Sequence, residues 1–330
     1  MALYDRNTEG LELVHKLADH VKNRNFLITG PTPGGLGAET AISIAAEHPA
    51  MIVLVGRSQA KAQPTIDAIK NVDPKIKVKF VVAELSSLKS VRAAAQTILD
   101  DSEIPKVDVL INNAAVMASP QMQTEDGLDY QLGINHLSHF VLTNKIMPKI
   151  FAAGPGARIV NVSSSGHRYA GTRLDDPNFT EPGSYKGFAA YGQAKTANIL
   201  YTVQLNKRLA SRGIRAYAPH PGGVATNLQV YVQALGDRAM EVLDDASWKV
   251  NGCSIEETRK RDPPKTLQQG SASLIRAAID PSLVNEEGVF IRDANLTTDP
   301  EDVRSWATDP ELAEKFWNLS ENLVGEKFDI

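Results

Sequence analysis

The sequence predicts an α/β protein, a doubly wound parallel sheet of about seven strands flanked by helices. Short apolar runs recur at residues 26–29, 51–55, 78–83, 107–111, 158–162, 214–218 and 288–291. Most are unbroken Val/Ile/Leu runs, as expected of parallel strands covered on both faces. Between them, at 36–47, 59–71, 87–100, 127–150, 190–211 and 266–279, apolar residues recur with helical spacing. Strand–helix alternation of this kind implies right-handed crossovers and ligands bound beyond the carboxyl ends of the strands.

Composition narrows the class. The chain has 330 residues, 42% apolar and 22% charged, which suits a globular enzyme and excludes disorder, collagen and coiled coil. We read residues 1–330 as a single domain. With 35 Lys+Arg against 39 Asp+Glu, the net charge of −4 supplies no basic face for nucleic acid. One cysteine, Cys253, excludes an intramolecular disulfide and a multi-cysteine zinc site, and points to a reducing compartment. Residues 1–10 lack the apolar core of a signal peptide, and no run approaches the roughly 20 apolar residues of a membrane helix. The expectation is a cytoplasmic protein with no integral membrane segment, able to form a homo-oligomer.

Taken in order, residues 1–24 form an N-terminal helical extension, in which Leu11, Val14, Leu17 and Ala18 share one face. The first strand ends at Gly30, followed by Pro31-Thr32-Pro33-Gly34-Gly35-Leu36-Gly37 and a helix. Glycines here let the backbone approach a pyrophosphate resting on the helix N-terminus. The second strand ends at Gly56-Arg57, Arg57 standing 20 residues beyond Gly37. An NAD site puts a carboxylate about here for the ribose 2′-hydroxyl; a guanidinium suits a 2′-phosphate, so the sequence favours NADP(H). Residues 167–188, rich in Gly, Pro, Asp and Thr, read as a long surface loop. Residues 229–264 read as a helical substrate-side insertion near the C-terminal third, with an amphipathic piece at 230–243. Between these two irregular stretches, Tyr191 and Lys195 lie one turn apart on a helix, where an ammonium would stabilise a phenolate and lower the phenol pKa. The hydroxyl-rich strand end Asn161-Val162-Ser163-Ser164-Ser165 precedes them.

Together these pieces resemble the short-chain dehydrogenase/reductase family from about residue 25 to the end. The matching motifs are the 29–37 loop, Asn112-Asn113-Ala114-Ala115, Asn135 in the long helix, the serine strand end, Tyr191 with Lys195, and Pro221-Gly222-Gly223-Val224-Ala225-Thr226. The context of His136 to Phe140, the 27-residue interval from Ser164 to Tyr191 and the Phe316-Trp317 ending look most like its retinol-dehydrogenase-like and WW-domain-oxidoreductase-like branch, especially fungal members. The resemblance implies a Rossmann-type fold, an NADP(H) cofactor and a small carbonyl or alcohol substrate. It makes Tyr191 the general acid, Lys195 the group that holds the nicotinamide ribose, and Ser164 (or its neighbour Ser163) the hydrogen bond to the substrate oxygen. It gives Asn135 a water-positioning role through its backbone. Gly30, Gly35, Leu36, Gly37, Arg57, Glu84, Asn113, Val224 and Thr226 would contact the cofactor, together with Tyr191 and Lys195. An isomerase, epimerase or cyclisation catalyst on the same fold is the alternative.

The chain departs from the family pattern in three places. Four residues, not three, separate Gly30 from Gly35-Leu36-Gly37; Glu84 stands where an Asp usually binds adenine; and Ala115 replaces a glycine. His136 and His139, three apart on a helix, have no third ligand in view, so no metal is expected. His167 could face the cleft or serve the core, and Tyr185 could reach substrate.

Overall fold

The computed structural model describes residues 4–330. Its strands form one sheet in the order β3-β2-β1-β4-β5-β6-β7-β8. They are β1 (Asn25–Thr29), β2 (Met51–Gly56), β3 (Lys77–Val82), β4 (Val109–Asn112), β5 (Arg158–Asn161), β6 (Arg215–His220), β7 (Phe290–Arg292) and β8 (Asn295–Thr297). All seven expected strands occur and run parallel; β8 is an addition, antiparallel to β7. The order reverses at β1, where Phe26 pairs with Ile52 of β2 on one side and with Val109 of β4 on the other. Such a switch point opens a crevice beyond the strand ends.

Both faces of the sheet are apolar because side chains alternate sides along each strand. Leu27, Val53, Leu110 and Ile159 point into one core, where they meet α4 (Leu88–Asp100), α5 (Tyr130–Leu132), α6 (Ser138–Lys145), α7 (Met147–Phe151), α8 (Gly187–Leu209) and, near the chain end, α14 (Pro310–Val324). Phe26, Ile28, Ile52, Leu54 and Ile111 point the other way, onto α1 (Gly10–Lys16), α2 (Leu36–Ala45), α3 (Gln59–Val72) and α12 (Leu267–Ile279). Helix starts carry their own signals. Ser58 caps α3, Thr266 and Gln269 form a capping box on α12, and Asp309 caps α14 ahead of Pro310.

The helical expectations need revision in two places. The helix expected from residue 11 ends at Lys16 and continues as a 3₁₀ turn, Ala18–His20. The helix expected over 127–150 starts at Tyr130 and is interrupted by a π turn, Gly133–Leu137, in which Ser138 N–H donates five residues back to the Gly133 carbonyl. The insertion at 229–264 is helical as expected: its amphipathic piece comprises α9 (Val230–Gln233), a 3₁₀ turn at Gly236–Arg238 where Gly236 takes φ +57°, and the start of α10 (Ala239–Asn251). α11 (Ile255–Arg261) and the short α13 (Ser305–Thr308) complete the set.

α14 closes the molecule over α8 through aromatic packing: Phe140 lies 5.0 Å from Trp317, and Arg208 sits over the same indole. Buried His136 belongs to this core, between Asn198 and Ser320, and burial drives its pKa down to about 3. Among the described residues no cluster of His, Cys, Asp or Glu could hold a metal, and no helix is long and apolar enough to cross a membrane.

Candidate active site

A cleft of about 750 Å³ lies at the switch point, with the glycine loop at one end and Ser164 and Tyr191 at the other. The loop is tight because its glycines leave no room for a side chain. A Cβ at Gly37 would sit 2.5 Å from the Gly30 carbonyl oxygen, and one at Gly30, already at φ +74°, would sit 2.9 Å from Ala114 Cα. Gly35 is the N-cap of α2 and offers no side chain to its first amides, so the helix N-terminus is left for an anion. The additional loop residue is taken up in a turn closed by Gly35 N–H on Thr32 O at 3.0 Å, with Gly34 at its unobstructed tip.

Thr29, at the end of β1, organises the floor. Its hydroxyl accepts the N–H groups of Asn113 and Ala114, each at 2.9 Å, so its own proton goes to His139 Nε2, also at 2.9 Å. His139 is therefore a neutral Nδ1–H imidazole, held so by burial with its pKa near 4, and that N–H donates to the Asn135 carbonyl at 3.2 Å. Asn135 does not line the cleft. Its side-chain amide pins both main-chain groups of the wall residue Val116, at 2.8 and 2.9 Å. The Asn113 side chain lines the cleft while donating to Thr29 O at 2.9 Å.

At the β2 end, Arg57 is exposed and its guanidinium lies 3.9 Å from Glu84 Oε2. The sequence neighbourhood of Arg57 holds no carboxylate; the fold supplies one from the end of β3. Glu84 is itself tied back, its other oxygen accepting the Ser86 N–H and hydroxyl. Ser58 and Lys61 line the same end. Lys61 was missed in the sequence, although it stands one helical turn after Arg57.

At the catalytic end, α8 and the turn after β5 bring the expected trio together. Ser164 accepts the Gly166 N–H at 3.0 Å and lines the cleft beside Tyr191, both side chains crowding the same point at Gly166. Ser163 instead donates to the Lys195 carbonyl at 2.9 Å, so Ser164 is the hydroxyl presented beside the phenol. Gly166 has no side chain because a Cβ there would lie 2.6 Å from Tyr191 Cε1. Lys195 Nζ donates to Val162 O at 2.9 Å and lies 5.7 Å from the Tyr191 ring centre. Burial pushes Tyr191 up to about 12 and Lys195 down to about 7. Desolvation dominates the phenol, and the expected lowering by the lysine is not among the causes that shift it.

Two open readings resolve away from the cleft. His167 is buried behind Ser164, its nitrogens on Ser164 O (2.7 Å) and the Arg304 N–H (3.2 Å). Tyr185 donates to Ser119 O and accepts from Gln131, and does not line the cleft. Val224 and Thr226 do line it, and Asn227 donates to Pro33 O at 3.3 Å, tying the roof to the glycine loop. The outer wall comprises Met117, Tyr169, Phe188, Val230 and Leu243, residues with no motif to announce them.

A family model described as short chain dehydrogenase matches residues 24–175. The chain is 34% identical to the short-chain dehydrogenase/reductase prx1 of Penicillium roqueforti over 92% of its own length and 85% of that protein's. It is 32% identical to retinol dehydrogenase 14 of Mus musculus, with 92% and 86% covered. Among solved structures, an uncharacterised protein of Mycobacterium paratuberculosis superimposes with a TM-score of 0.68 at 29% identity, covering 94% of this chain and 96% of that one. The chain belongs to the short-chain dehydrogenase/reductase family, in its retinol-dehydrogenase-like branch.

Proposed function

We propose that this protein is an NADP(H)-dependent oxidoreductase that reduces an apolar ketone or aldehyde to an alcohol, or runs the reverse reaction. The observation that carries the reading is the buried Tyr191 phenol beside Ser164 in one cleft, with Lys195 one turn along α8. The cleft suits a dinucleotide: glycine backbone faces the uncapped start of α2, and two cations, Arg57 and Lys61, stand at the far end for a 2′-phosphate. When bound, the nicotinamide supplies the hydride. The chain's own part is to bind, orient and move one proton. Tyr191, protonated at neutral pH because burial holds its pKa near 12, gives its hydroxyl proton to the carbonyl oxygen. Ser164 holds that oxygen, and Lys195 orients the ribose hydroxyls. The outer wall carries Met117, Tyr169, Phe188, Val230 and Leu243, with Gln229, Tyr231 and Gln233 as its polar members and no arginine, a mainly apolar lining that favours an apolar substrate.

The test combines NADPH and NADH titration with loss of NADPH absorbance across a panel of apolar carbonyls. Wild type binds NADPH the tighter and consumes it with at least one member. Arg57→Ala weakens NADPH about tenfold and leaves NADH unchanged. This is the low end of a charge-assisted contact, because Arg57 is exposed and shares its charge with Glu84. Equal affinity for both dinucleotides in wild type, unmoved by the substitution, refutes the NADP assignment.

A further inference from the structure

Lys265 is a buried charged side chain that no sequence motif announces. It follows Pro263-Pro264 at the end of the 229–264 insertion, its side chain is 1% exposed, and its ammonium pairs with Asp293. Asp293 occupies the β7–β8 turn, at φ +50°. The stem of the lysine lies against Gly222, where a Cβ would stand 2.7 Å from Lys265 Cδ and 2.9 Å from Cε. Gly222 itself is at φ +88°, so this glycine is required both by its backbone and by the lysine beside it. The main chain joins in. Lys265 N–H donates to Gly223 O at 2.8 Å, and Val224 and Lys265 form a parallel bridge. The insertion therefore leaves the body just after Val224 and returns to it at Lys265, both feet meeting at one point.

Burying an ammonium is costly unless it is paired, and an apolar side chain could fill this space more cheaply. A charge retained here fixes a geometry that packing alone would leave adjustable. We propose that Lys265, anchored on Asp293, is a positioning residue that holds the Pro221–Thr226 segment in the shape that receives the nicotinamide half of the cofactor. Lys265 does not line the cleft; it acts through Gly222, Gly223 and Val224. The inference rests on the proposed dinucleotide site, because only a bound nicotinamide gives this segment something to receive.

The experiment compares two ligands by calorimetry, NADPH and 2′,5′-ADP, the latter carrying only the adenosine half. Lys265→Met keeps the stem and removes the charge; Asp293→Asn keeps the lysine and weakens its anchor. Lys265→Met is expected to lower NADPH affinity roughly three- to tenfold, the weight of one hydrogen bond at the nicotinamide end. It should leave 2′,5′-ADP affinity within twofold of wild type, with Asp293→Asn shifting NADPH in the same direction by less. A merely structural lysine would weaken both ligands together or neither, and either result overturns the proposal. If Lys265→Met does not fold, Asp293→Asn alone decides by the same comparison. If wild type prefers NADH, the pair becomes NADH and ADP. A wild type that binds no dinucleotide refutes the function itself, a failure distinct from unequal variants.

Discussion

Replacing Lys195 by methionine should make the unliganded protein more stable while destroying its proposed activity. Lys195 is fully buried, has no carboxylate partner, and its pKa falls from 10.5 to about 7 through desolvation alone. Each unit of such a shift is worth about 1.4 kcal/mol, so the protonated amine costs the fold at most about 5 kcal/mol below pH 7. The sign follows from proton binding. Between pH 7 and 10.5 the unfolded chain holds the proton and the folded chain does not, so wild-type stability rises with pH across that window. Methionine matches the stem, and little is orphaned by the change. Val162 O loses the amine but keeps Asn198 Nδ2 at 3.1 Å, and the Ser163 bond goes to the Lys195 main chain. The net gain at pH 7 should be about 2–4 kcal/mol, less than the full penalty because one hydrogen bond is lost. Urea unfolding of both proteins at intervals from pH 6 to pH 10 reads it directly. The difference should be largest at pH 6 and shrink towards zero by pH 10. Parallel curves, or a variant less stable than wild type at pH 6, would show that the lysine carries no burial penalty.

Two further substitutions test the remaining parts of the site. Tyr191→Phe keeps the ring against Gly166 and removes the proton; dinucleotide affinity should persist while turnover falls roughly 10²–10⁴-fold, and Ser164→Ala should be milder. Turnover at the wild-type rate in Tyr191→Phe would exclude the phenol as acid. Gly37→Ala drives a methyl group to 2.5 Å from the Gly30 carbonyl and 2.6 Å from Asn113, so the loop must open; dinucleotide titration should show affinity lost, and unchanged affinity would mean that the loop does not carry the phosphates.

What could be read from the sequence was what repeats with a short period or sits in a local motif. Most of the parallel strands announce themselves because both faces are buried, which makes them continuous apolar runs; β3, at the sheet edge and half exposed, is the exception. β8 does not, since it is three residues long and is held by a turn in which Asp293 and Ala294 both take positive φ. Within the helical insertion the break at Gly236 was not legible, because it is set by a positive φ and not by apolar spacing. The π turn at Gly133–Leu137 left no trace in the periodicity either, yet it lies at Asn135. In the site, Ser164, Tyr191 and Lys195 were legible from spacing and context. The Glu84 carboxylate beside Arg57 was not, because it arrives from another strand, and the lowering of the phenol pKa was misjudged because burial is a tertiary property.

The same distinction bears on how the cleft can vary. The glycine loop proposed to hold the cofactor phosphates is made of backbone: Gly30 and Gly37 admit no side chain without collision, so changes there should weaken dinucleotide binding. The outer end is made of side chains on separate segments, Met117 after β4, Tyr169 after β5, Phe188 on α8 and Leu243 on α10, none bound by a local rule. Because the insertion carrying Leu243 begins and ends at the Val224–Lys265 bridge, its length and sequence can change without moving the segment that precedes it. On the proposed function, a fold arranged this way could exchange substrates by altering 229–264 while keeping one dinucleotide site and one proton donor. Lys265 and Asp293, which do not line the cleft, would then be among the residues expected to stay fixed.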